Sequence, residues 1–155
     1  MLTEQSQLVA QVFCEVMEKL AFMFGEPADK QRSAPPESAY IQTKMTYTGQ
    51  TSGMLALTVP ASLCPQIAAN VLGIDPDDDR AVASSLDALK EVLNVTCGHV
   101  LTALAGETPV FDLSVPGTST LDAGQWTDLL ERPDTVALSV DDNVVLLQFA
   151  HGRQA

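Results

Sequence analysis

The sequence predicts an α+β fold in which helices pack on a mainly antiparallel sheet. Two long segments carry apolar residues at helical spacing, over about 3–24 and 77–105. Two other segments, 39–59 and 134–150, are rich in Thr, Val, Ile, Leu and Tyr, and each is folded about a short polar turn. Strands and helices do not alternate regularly, so a doubly wound parallel sheet is excluded. At 155 residues the chain can bury a substantial core and is expected to form one domain, 1–155.

The first helix is expected over 3–24, because Val9, Phe13, Val16, Met17, Leu20 and Phe24 fall on one stripe. Gly25 and Pro27 should stop it. The polar, proline-rich "GEPADKQRSAPPES" reads as a loop. A β-hairpin follows over 39–59, turning near 49–53. Pro60 opens and Gly73 closes a short helix. "IDPDDD" is a turn whose acids suit the start of the next helix, 77–105, which ends at Gly106. A short strand at 109–115 leads into a Gly/Ser/Thr loop, then a possible helical turn at 122–131 that Pro133 ends. The last hairpin pairs "DTVALSV" with "VVLLQFA" across Asp141, Asp142 and Asn143. The helices are placed on one face of the sheet.

The formal net charge is −12. Nucleic acid would be repelled by such a surface, and the eight Lys and Arg are scattered rather than clustered. Cys14, Cys64 and Cys97 lie in apolar segments without metal-type spacing, so they read as small buried hydrophobes in a reducing cytoplasm. The start, "MLTEQSQLVAQVF", lacks the basic region of a secretory signal. No apolar run reaches the roughly 20 residues that span a bilayer. The acids of "DPDDD" read as a solvated turn and helix start, not a metal site. His99 and His151 have no Ser or Cys partner at informative spacing.

The long helix raises a question. With Leu89 at zero and about 100° per residue, Val82, Leu86, Leu93, Cys97, Val100 and Leu104 cluster within roughly 0–80°, Leu101 flanks them at about 120°, and all should be buried. Asp87, Glu91, Asn94 and Gly98 lie almost opposite, within roughly 140–200°. Glu91 and Asn94, three residues apart, project side by side. A glycine in a helix interior costs roughly 1 kcal/mol relative to alanine, and it strips side-chain bulk from that face. Either this is ordinary solvated surface or it is a face on which another molecule docks.

"DALKEVLNVTCG" resembles the signature of the CheC/CheX/FliY chemotaxis phosphatases: Asp or Ser, three residues, Glu, two residues, Asn, commonly followed by a glycine four further on. Asp87, Glu91, Asn94 and Gly98 match each place, and "PVFDLSVPG" looks like the strand after the motif helix. Two-site members of that family carry the motif helix twice. Superposing the first helix on the second sets Gln11, Glu15, Glu18 and Phe22 against Asp87, Glu91, Asn94 and Gly98. An acid in place of the amide would repel phosphate, so the first helix looks like a pseudo-repeat without a site, as in CheX. Phe22 would mark a subunit contact or pack under the proline-rich loop.

The resemblance implies a CheX-like fold and removal of phosphate from the aspartyl phosphate of a CheY-like response regulator. It implies that Asn94 orients the attacking water and that Glu91 pairs with the regulator's active-site lysine. Asp87 would help dock the partner or merely solvate the helix, and Gly98 would permit close approach. The chain would need no cofactor of its own, since Mg²⁺ would belong to the regulator. A homodimer follows from the same likeness. The alternative is a non-catalytic receiver- or flagellar-switch-binding adaptor of the same fold.

Overall fold

The computed structural model describes residues 3–30 and 39–152. The elements are α1 (Glu4–Ala21), β1 (Gly25–Pro27), β2 (Ala39–Thr48), β3 (Ser52–Pro60), α2 (Leu63–Leu72), α3 (Asp79–Ala83) and α4 (Ser85–Ala105), followed by β4 (Asp112–Leu113), β5 (Gly117–Asp122), α5 (Ala123–Leu130), β6 (Thr135–Val140) and β7 (Asn143–Gly152). The strands form one sheet in the order β1-β6-β7-β3-β2-β4, with β5 also on β2, and each described pairing is antiparallel.

Side chains alternate across the sheet and build two cores. Met45, Tyr47, Leu55, Leu57, Val59, Val136, Leu138, Val145 and Leu147 point to one face, where α1, α2 and α4 bury Phe13, Met17, Ile67, Leu89 and Leu93 against them. Tyr40, Ala137 and Leu146 point to the other face and meet Trp126 and Leu130 of α5. Tyr40 stacks on Trp126 with ring centroids 4.3 Å apart. The helices therefore occupy both faces, not one. The expected helical turn at 122–131 is a true helix, started by a capping box in which Asp122 accepts from the Gln125 amide and Gln125 returns the bond.

Three further expectations change, beside two smaller ones: Pro60 ends β3 instead of opening α2, and the strand expected over 109–115 is only Asp112–Leu113. First, α1 ends at Ala21, before the glycine: Phe22 adopts φ 54° and the Met23 amide reaches back to the Met17 carbonyl at 3.2 Å. Phe24 lies beyond the helix and is exposed rather than on the stripe, and Gly25–Pro27 is a strand, not loop. The rest of the proline-rich stretch, 31–38, lies outside the described residues. Second, the helix expected over 77–105 is two helices, broken where Ser84 takes φ −99° and ψ 6°. Third, "GTSTLD", read as loop, is β5, an outer strand on β2. The two hairpins form as expected, the second around Asp141 and Asp142 with positive φ.

Candidate functional site

Helix α4 is the rod on which the motif residues stand. Ala88, Leu89, Val92, Leu93, Thr96, Cys97, Val100 and Leu101 anchor it in the core. Thr96, buried among them, donates to the Val92 carbonyl at 2.7 Å and so leaves no orphan hydroxyl. The buried stripe is wider than the wheel predicted, because α1 and α2 flank α4 as well as the sheet beneath. At its N-terminal end the stripe fails: Val82, in α3 before the break at Ser84, and Leu86, in the first turn of α4, are exposed. Leu104 is half-buried.

The opposite face is as expected. Asp87, Glu91 and Asn94 are exposed, and Gly98 is half-covered at the same flank. Among the described residues no hydrogen bond or ion pair engages the side chains of Asp87, Glu91 or Asn94. Among the described residues, a Cβ built on Gly98 meets no atom within 4 Å beyond its own helix. Packing therefore gives no reason for a glycine there, and its backbone is open to an incoming surface.

Two open grooves run along this flank, between α4 and the outer strand. Asp87, Lys90, Glu91 and Asn94 form one wall of a groove of about 360 Å³, and Leu113–Pro116 form the other. Gly98 opens instead on a neighbouring groove of about 230 Å³, with Thr102, Glu107, Phe111 and Leu113. Leu113 lines both, so the carboxylate–amide pair and the glycine share one flank but not one hollow. The sequence reading missed Lys90 and Leu113–Pro116. Lys90 was one residue from Glu91 but off the wheel's polar centre, and the strand residues needed the pairing register to be placed.

The other sequence candidates lie elsewhere. Gln11, Glu15 and Glu18 are exposed on α1, with Gln11 donating to Glu15 at 3.3 Å. Phe22 is not on the face of that helix; it is the left-handed cap beyond it, 70% exposed, so it has no equivalence to Gly98 in mid-helix. His99 opens on an apolar hollow between α1 and α4 with Val12, Val16, Leu20 and Val95. His151 hydrogen-bonds Tyr47 and stacks on Phe149. Burial pushes the Cys97 thiol up to about 11, and burial with Glu15 raises that of Cys14, the opposite of a reactive thiolate. In "DPDDD", Asp75 accepts from the Asp77 amide, while Asp78 caps α3 and pairs with Arg80 at 2.9 Å. Among the described residues no three His, Cys, Asp or Glu converge as a metal group.

Residues 41–133 match the family model described as chemotaxis phosphatase CheX, a span that contains α4 and both outer strands. The fold is that of several solved structures. CheX from Vibrio vulnificus is 16% identical with a TM-score of 0.69, covering 96% of this chain and 97% of that one. A CheX from Desulfovibrio desulfuricans is 14% identical with a TM-score of 0.67, covering 96% and 99%. The third is a CheX–CheY–BeF₃–Mg²⁺ complex from Borrelia burgdorferi, 14% identical with a TM-score of 0.65, covering 97% and 99%. Among curated proteins no sequence match is found.

Proposed function

The chain belongs to the CheX family of chemotaxis phosphatases, and from that premise we propose that it hydrolyses the aspartyl phosphate of a CheY-like receiver domain. One observation carries the reading: Glu91 and Asn94 stand exposed and, among the described residues, unpartnered, one turn apart, on a helix whose other side is locked in the core. The match spans both residues, and the related Borrelia protein forms a complex with CheY.

An acyl phosphate is an activated anhydride, and its loose transition state asks for an aligned water and charge neutralisation rather than a strong base. A carboxamide suits the alignment. The Asn94 Oδ1 accepts from the water while Nδ2 donates to a phosphoryl oxygen. The water oxygen bonds to phosphorus as the bond to the receiver's aspartate breaks. A carboxylate and inorganic phosphate leave. The metal that neutralises the phosphoryl oxygens belongs to the receiver. Glu91 pairs with the receiver's lysine ammonium and fixes register. Asp87, one turn before it, extends the docking face, and Gly98 lets a second surface approach the helix backbone.

A receiver partner sets the reaction in the cytoplasm. Among the described residues no helix is long and apolar enough to cross a membrane. The experiment is Asn94→Ala, read for both phosphate release and receiver binding. Lost stimulation with retained binding supports hydrolysis. Unchanged phosphate loss leaves only the adaptor reading.

A further inference from the structure

The outer strand beside α4 is not continuous. Tyr47 faces Leu113 and Lys44 faces Gly117, so Met45 and Thr46 of β2 oppose three residues: Ser114, Val115 and Pro116. This is a β-bulge, a device that re-aims a side chain next to a site. It is held rather than frayed. The Ser114 amide donates to the Thr46 carbonyl at 2.9 Å, and the Ser114 hydroxyl accepts from the Thr46 amide at 2.8 Å. Pro116 brings no N–H that needs an acceptor. The bulge residues form the second wall of the groove that holds Asp87, Glu91 and Asn94, and Val115 on it is 87% exposed.

A single exposed valine needs no explanation by itself. This one is the centre of a bulge tied to β2 through Ser114, and Leu113, 38% exposed, continues the apolar surface toward Gly98. We propose that Val115 is a positioning and specificity-determining residue: it meets an uncharged, apolar contact on the receiver beside its phosphorylated aspartate, while Glu91 and Asn94 meet the charged centre. The inference rests on the receiver reading above. Polar groups on α4 fix register. An apolar knob on the opposite wall adds affinity and discriminates among receivers whose rims differ in shape or charge. Val115 takes no part in bond making, so its loss should weaken the complex and spare the turnover of the bound state.

The test measures the dissociation constant for a receiver held active by beryllium trifluoride and Mg²⁺, together with kcat and KM for phosphate release. Val115→Ser should weaken binding and raise KM by about tenfold, while kcat stays within about twofold. Val115→Ile should bind as the wild type does. Ser114→Ala, which frees the Thr46 amide and loosens the bulge, should shift KM in the same direction, and Ser114→Thr should restore it. Since Val115 is in solvent, its variants should melt with the wild type. Wild-type binding by Val115→Ser, or a fall in kcat at constant KM, overturns the inference while leaving hydrolysis by Asn94 intact. Weaker binding of Val115→Ser with no phosphate release by the wild type upholds it and sinks the enzymatic reading instead.

Discussion

Gly98→Ala should make the protein more stable and less able to engage its partner. A glycine in a helix interior costs about 1 kcal/mol relative to alanine. Among the described residues the new methyl would meet no atom within 4 Å outside its helix, so no clash with them opposes that gain. For a chain of 155 residues, about 1 kcal/mol raises the melting temperature by about 2–4 °C. The same methyl would stand on the flank between Asn94 and the groove of Thr102 and Leu113, where a docking surface must come close. Thermal melts by circular dichroism give the first quantity and receiver-binding titrations the second. A destabilised Gly98→Ala would show that packing or backbone geometry demands the glycine. A stabilised variant with wild-type affinity would show that the bare spot serves no contact. Either result refutes the reasoning.

Trp126→Ala should cost about 3–5 kcal/mol in urea unfolding, because the ring is fully buried and stacked on Tyr40; its turnover per folded molecule should be unchanged, since α5 lies across the sheet from α4. Asp78 should leave a signature at low pH: hydrogen bonds from the Arg80 side chain and amide hold its carboxyl at about 2, below its ordinary 3.8. Its folded value is the lower one, so its contribution is present above the ordinary value and fades as pH falls toward about 2. Asp78→Ala should flatten the acid limb of stability against pH, and an unchanged limb would remove Asp78 from that account. Light scattering should give twice the chain mass if the expected homodimer forms; a monomer at micromolar concentration would contradict it.

Much of this arrangement is legible in the residues, and what is not has identifiable causes. Leu89, Leu93, Cys97 and Val100 share one narrow arc, so the buried side of α4, and by subtraction the outward Asp87, Glu91 and Asn94, follow from helical period alone. The break at Ser84 is invisible because Val82 and Leu86 continue that period on paper. β5 escapes detection because it is exposed on almost every residue: without one buried face, Gly-Thr-Ser-Thr lacks the alternation that marks a strand. β1 is three residues with a proline, sustained by its pairing with β6. The second wall of the site was hidden for a related reason. A one-residue offset between β2 and its outer partners exists only in the pairing, though a proline two residues after Ser114 in a strand-like segment is the local hint that a bulge leaves.

The most direct test of the account replaces one atom group at its centre. Asn94→Asp keeps the size of the side chain but exchanges the amide donor for a negative oxygen facing the phosphoryl group. Single-turnover phosphate release from a panel of phosphorylated receivers should show acceleration by the wild type for at least one, and a loss of that acceleration of about 10²–10³-fold in the variant. Equal acceleration by both proteins would contradict the assignment of water orientation to Asn94.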